Sequence, residues 1–306
     1  MKKQLFTLIT FVSLTALSMA QSNPAITEWI QNHSGITGRH YVQGNSTPIT
    51  DNVLANVQSV DYSNNWVYVT ATGIPSYITG PFTDNNPSLA ENQNAIYKLP
   101  LNPTQNAGNA TATFGGNIGV FINGVSLFDY RDGVAWNNNT NALCGGPGNP
   151  PCPGGPQATQ NWNRDAIPAE MGGFDCAKAH PAMGNYHHHQ NPSAFNLDLI
   201  VVSDICDSYP ADGLYVIDTN AHSPLIGFAY DGFPIYGAYA YANLDGSGGI
   251  VRMKSGYALR NMTTRANGPY VGQIFTLTNG PNQGNQEVMD LGYFREDYEF
   301  IAHSSS

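Results

Sequence analysis

Charge is scarce in this chain. Asp, Glu, Lys and Arg make up 11% of its 306 residues, and 22 acidic residues against 12 Lys and Arg give a formal charge of -10. A basic surface for nucleic acid or anionic lipid is therefore not expected. Apolar runs are short and concentrated at the start, where Leu5 to Leu17 follows Lys2 and Lys3 and leads to Ser18-Met19-Ala20. That layout reads as a secretory signal, residues 1–20, cleaved near Ala20. Loss of Lys2 and Lys3 with it takes the charge from -10 to -12. The run is too short for a spanning helix, which needs about 20 apolar residues, and no later segment exceeds it. A secreted chain without a membrane span is expected, extracellular or periplasmic.

Other signatures are missing too. There is no Gly-x-Ser-x-Gly elbow, no Walker-type loop and no dinucleotide fingerprint, which argues against α/β serine hydrolases and nucleotide-dependent enzymes. No stretch keeps a 3.6-residue apolar period, and no internal repeat is present. Cysteine is limited to Cys144, Cys152, Cys176 and Cys206. An even count in an exported chain fits disulfides, and four cysteines allow three pairings. Cys144 and Cys152 bracket a Gly/Pro-rich segment, which favours a local bridge and leaves Cys176 with Cys206. The competing reading makes Cys176 a thiolate metal ligand.

What is present is strand-like. Trp66-Val67-Tyr68-Val69-Thr70 is β-branched and aromatic between turn residues, and Ala95 to Leu99, Val120 to Ile122, Leu197 to Val202 and Leu214 to Ile217 have similar composition. Asn123-Gly124 between Val120-Phe121-Ile122 and Val125-Ser126-Leu127-Phe128 signals a hairpin. Short helices are expected near Ala25 to Gln31 and Asp51 to Val57, each after a capping residue. Asn137 to Gln160, rich in Asn, Gly and Pro, reads as a long loop. Asp129, Arg131 and Asp132 read by default as an exposed charged turn, with a pocket lining as the alternative. The fold class is mainly β, with long irregular loops and a few short helices. Residues 21–306 are expected to form a single sandwich-like or barrel-like domain.

Three of the eight histidines stand together in Tyr186-His187-His188-His189. On an extended backbone His187 and His189 share a face, with Cα atoms about 6.6 Å apart, and His188 faces the other way. Imidazole is the commonest metal ligand, so the stretch is a candidate site. His33, His40 and His303 are isolated, and a surface or structural role is expected for them.

These residues carry a resemblance. Asp175-Cys176, His180-Pro181 and Gly184-Asn185-Tyr186-His187-His188-His189 resemble the signature of bacterial secreted YHYH proteins, in which Tyr-His-Tyr-His follows a similar His-Pro segment. The run from His222 to Gly237, with Tyr230-Asp231-Gly232-Phe233-Pro234, is similar to the second signature of that family. The similarity runs roughly from Val67 to Tyr241, through Gly73-Ile74-Pro75 and Asn123-Gly124-Val125. His188 departs from it, standing where the family usually has Tyr. The resemblance implies a domain identity and no particular reaction.

The chemistry is therefore argued from residues. His187 and His189 supply two ligands, and His180 a third if a turn through Pro181 and Gly184 brings it back. His222 or Asp231, or an exchangeable water, completes the set. Such donors suit zinc or copper as a divalent transition metal, and zinc lowers the pKa of bound water to about 7. For Asp231 an Asx-type turn ahead of Pro234 is the competing role, and for His222 a structural one. The leading reading is a secreted metal-binding protein, extending to a metalloenzyme of unknown substrate. The alternative is a non-catalytic extracellular binding or adhesion module with structural histidines. Its 17 tyrosines, with Asn and Gln, would meet a glycan or other small-molecule ligand.

Overall fold

The computed structural model describes residues 23–84, 88–109, 111–145, 161–190, 192, 204–212, 218–272 and 291–301. The expected strands at Leu197 to Val202 and Leu214 to Ile217, the leader, Cys152 and His303 lie outside the described residues. Helix α1 (Pro24–Thr27) opens the described chain; the Asn23 side chain caps it by accepting from the Ala25 N–H. Strands β1 (Thr37–Val42), β2 (Asn45–Leu54), β3 (Val57–Tyr62), β4 (Trp66–Ala71), β5 (Ile78–Thr79) and β6 (Ala95–Pro100) follow. Next come β7 (Asn117–Phe121), β8 (Ser126–Phe128), β9 (Arg131–Asn137), β10 (Ala142–Cys144), β11 (Asn163–Asp165) and helix α2 (Ala166–Glu170). The remainder is β12 (Ala179–Ala182), β13 (Asn185–His188), β14 (Leu225–Ala229), β15 (Pro234–Tyr236), β16 (Tyr239–Tyr241), β17 (Ile250–Arg252), β18 (Tyr257–Leu259) and β19 (Tyr298–Phe300).

The mainly β expectation holds, and the strands form several small sheets with no closed barrel among the described residues. A six-stranded sheet in the order β12-β13-β8-β7-β14-β15 carries the histidine motif. The three-stranded sheet β3-β4-β6 contributes to the same core. Its alternation is plain in β4, where Val67 and Val69 are fully buried and Trp66 is exposed. Those valines join Tyr97 and Leu99 of β6, Val120 and Phe121 of β7, and Ile226 and Phe228 of β14 in one cluster. Burying each such side chain contributes about 1.5–3 kcal/mol. The Asn123-Gly124 hairpin is present, with Gly124 at φ +81 and Val120 paired to Ser126.

Two expectations are corrected. Asp51 to Val57 is not helical: β2 runs to Leu54 and pairs with β1, Leu54 against Thr37 and Thr50 against Arg39. Asn56, at φ +66, then turns the chain into β3. Cross-strand partners outweigh a local cap here. The loop from Asn137 to Gln160 begins instead as a hairpin, since Ala142–Cys144 pairs back on β9.

Cys176 and Cys206 form the expected disulfide, which removes Cys176 as a thiolate ligand. Cys144 is also disulfide-bonded; its expected partner, Cys152, lies outside the described residues. No described helix is long and apolar enough to cross a membrane.

Candidate metal centre

The centre is built on one hairpin. Strands β12 and β13 pair antiparallel with Ala179 against His188, His180 against His187 and Ala182 against Asn185. A two-residue turn, Met183 at φ +48 and Gly184 at φ +82, joins them, the backbone of a type I′ connection. Because directly paired residues share a face, His180 and His187 come side by side. The third histidine, His189, follows at the end of β13. Helix α2 brings a carboxylate to the same place: Asp165 caps the helix by accepting from the Ile167 N–H at 2.9 Å, and Glu170 is the last helical residue.

One donor atom from each of Glu170, His180, His187 and His189 lies within 4.8 Å of the others. The Glu170 Oε2 is 3.1 Å from His180 Nε2 and 3.2 Å from His189 Nε2. The Nε2 atoms of His187 and His189 face each other at 3.1 Å. Their other nitrogens are engaged, His187 Nδ1 with the Asn185 carbonyl at 2.8 Å and His189 Nδ1 with the Asp129 carbonyl at 2.6 Å. A carbonyl only accepts, so both Nδ1 atoms are protonated, and each ring in its neutral form turns an Nε2 lone pair inward. Both ring nitrogens of His180 and the Oε2 of Glu170 are buried without an aligned hydrogen bond.

Aromatic walls enclose these donors. Phe128 stacks on His187 at 3.7 Å between centroids, and Phe174 meets His180 edge-on at 5.0 Å. The electrostatics follow from burial and contact. Burial raises the Glu170 carboxyl, but the adjacent His180 and His189 outweigh it and hold it below the ordinary carboxylate range. For His189 burial lowers the pKa, and Glu170 more than restores it, leaving it raised. His187 is pushed well below the usual imidazole range by burial and by its neighbours His189 and His180.

The opposite face of β13 is structural. His188 Nδ1 donates to the Lys178 carbonyl at 3.3 Å, so its Nε2 accepts from the Tyr77 hydroxyl at 2.9 Å. Burial lowers its pKa to about 3, which keeps it neutral. Tyr186 donates to Asp175 Oδ2 at 2.8 Å, and Asp175 also accepts from the backbone N–H groups of Gly80, Ala177 and Ala179. Burial raises Asp175 to about 7 despite those bonds. The motif thus alternates between core and cluster, as its strand period requires.

His222 and Asp231 are not brought to the cluster. Exposed His222 packs against Tyr236 and Tyr241, with Nδ1 at 2.8 Å from the Ser223 carbonyl. Asp231 is exposed and accepts from the Phe233 N–H at 3.4 Å, the turn role weighed against ligation. His40 pairs with Asp51 at 2.7 Å, away from the cluster. Asp129 and Asp132 are not an exposed turn: both side chains are buried and pair with Arg131 and Arg164. Sequence reasoning missed Glu170 altogether. The one signal for it is a capped helix, Asp165 to Glu170, ending ten residues before His180.

The model of one family, described as YHYH protein, matches residues 96–306. That span reaches past Tyr241 and begins downstream of Gly73-Ile74-Pro75, so those three residues lie outside it. No curated protein and no solved structure matches the chain.

Proposed function

The chain belongs to the YHYH protein family, and from that premise we propose that it is an exported metal-binding protein whose centre is Glu170, His180, His187 and His189. The observation that carries this reading is the 3.1 Å approach of two Nε2 atoms whose rings are both protonated at Nδ1. Two bare lone pairs at that distance repel unless a cation or an extra proton lies among them. The unsatisfied donor set of His180 and Glu170 points the same way, since buried polar atoms otherwise cost about 1–3 kcal/mol each.

Imidazole and carboxylate donors fit zinc or copper(II) alike. Such an ion acts as a Lewis acid and lowers the pKa of bound water. The chain's own part is to fix the donors. The carbonyls of Asn185 and Asp129 hold two rings in the ligating tautomer, and Phe128 and Phe174 keep water out of the cluster. Catalysis on a substrate is the extension of this reading; a passive metal store is its simpler form.

Elemental analysis of untagged protein tests it. One equivalent of zinc or copper is expected in the wild type. None is expected in His187→Ala/His189→Ala, with the far-UV circular dichroism retained. Metal retained by the double variant would move the site elsewhere, and a wild type that takes up none after reconstitution would leave the cluster structural.

A further inference from the structure

Asp297 and Asp132, two of the buried carboxylates paired with arginines, are held in different ways. Arg265 commits its fork to Asp297: Nε donates to Oδ1 at 2.7 Å, Nη2 to Oδ2 at 2.6 Å, and Nη1 to the Pro269 carbonyl at 3.3 Å. Both side chains are fully buried, and the pair ties the 257–272 region to the 291–301 segment. Arg164 contacts Asp132 through Nε alone. Its Nη1 and Nη2 make no hydrogen bond among the described residues, although its side chain is only 21% exposed and that of Asp132 is 0%. A guanidinium held this way presents two donor nitrogens in a plane, the arrangement that binds carboxylate or phosphate oxygens bidentately.

The position is as informative as the valence. Strand β11 pairs with β9, Asp165 against Arg131, and runs directly into α2, which ends on Glu170. Arg164 lies close enough to Glu170 for their charges to interact, and Asp132 close enough to both Glu170 and His189. Asp132 is fixed in turn by the Val134 N–H at 2.8 Å. The neighbouring carboxylate, Asp165, is engaged in capping α2. Tyr293 also lies close enough to the guanidinium for their charges to interact.

We propose that Arg164 is the anion-binding residue of this site, its Nη1 and Nη2 receiving the oxyanion of a small substrate, a carboxylate or a phosphate, beside the histidine cluster. Asp132 acts as the positioning residue that holds the guanidinium. The inference rests on reading Glu170, His180, His187 and His189 as a metal centre. Inside the family's matched span, it gives the site a ligand class: small anions.

Calorimetric titration of the zinc-loaded protein with inorganic phosphate and, separately, with acetate tests it. One saturable site is expected for at least one of the two, and which one binds distinguishes phosphate from carboxylate substrates. Asp132→Asn/Arg164→Gln removes both charges of the pair together. It is expected to keep its zinc and to lose at least tenfold in anion affinity. Repeating the titration on metal-free protein separates the two readings: an Arg164-dependent affinity that survives without metal upholds the fork even if the metal centre fails. Unchanged affinity in the double variant, or no binding of either anion by the wild type, overturns the proposal. Should the double variant not fold, Arg164→Lys decides, because it keeps the charge and loses the fork. Wild-type affinity in that variant overturns the assignment, and a tenfold loss supports it.

Discussion

Tyr186, His187, His188 and His189 show how much one residue step changes on a strand. His187 reaches the donor cluster, while His188 is walled in by Tyr77, Phe121 and Tyr186. Substituting Tyr's usual place with His therefore leaves the cluster face unchanged. On the core face Asp175 has a titration with a consequence for stability. Its folded pKa of about 7 exceeds the ordinary value of 3.8 because burial penalises the anion. A raised carboxyl stabilises the fold fully below the unfolded pKa and loses that contribution as pH rises through 7. Relative to Asp175→Asn, which does not titrate, wild-type unfolding free energy should fall by about 4 kcal/mol between pH 4 and pH 8, taking about 1.4 kcal/mol per pKa unit. Denaturant titrations of both metal-free proteins across that range measure it. A constant difference would mean that Asp175 ionises as a solvated carboxyl does.

At the scale of elements, the hairpin β12–β13 is where reading and structure agree best. Alternation along Tyr186 to His189 predicted two faces; the return of His180 was conditional on a turn through Pro181 and Gly184, and the turn lies at Met183 and Gly184, with Pro181 paired to Tyr186 inside β12. Both follow from period and chain reversal, which are local. Glu170 was illegible because nothing local ties it to the histidines; it arrives on α2 through the pairing of β11 with β9. His222 and Asp231 stand outside the group of Glu170, His180, His187 and His189, at the two ends of β14. The Asp51 to Val57 segment shows a cap-like residue losing to a partner strand.

The hairpin also contains a conformational conflict. Met183 holds φ +48 with its side chain 94% exposed, so it gains no burial to offset an unfavourable backbone. Asn is the preferred residue at that turn position. Met183→Asn should stabilise the protein by about 0.5–1 kcal/mol, read as a shift in the urea midpoint at constant slope. An unchanged midpoint would show that the turn relaxes away from the left-handed region.

At the scale of the molecule, the family match and the folded core have different boundaries. The match begins at residue 96, inside β6. Among the described residues β6 pairs only with β4, Ala71 against Ala95 through Trp66 against Pro100, so its sole strand partner lies upstream of the match. Val67, Val69 and Tyr77 are buried at 1% exposure or less, and Trp29 packs on Phe228 with centroids 5.3 Å apart. The Ile30 N–H also donates to the Ile122 carbonyl at 2.9 Å. Four such side chains contribute about 6–12 kcal/mol by burial, which equals the whole net stability of a typical domain, about 5–15 kcal/mol. The Tyr77 hydroxyl is in addition the partner of His188, so losing the upstream segment unseats the motif strand itself. A fragment of residues 96–306 should therefore show no cooperative thermal transition and bind no metal, whereas residues 23–306 should unfold cooperatively and bind it. Near-ultraviolet circular dichroism with zinc titration compares the two. Cooperative unfolding of the shorter fragment would place the folding unit within the family span and make residues 23–95 an addition to it.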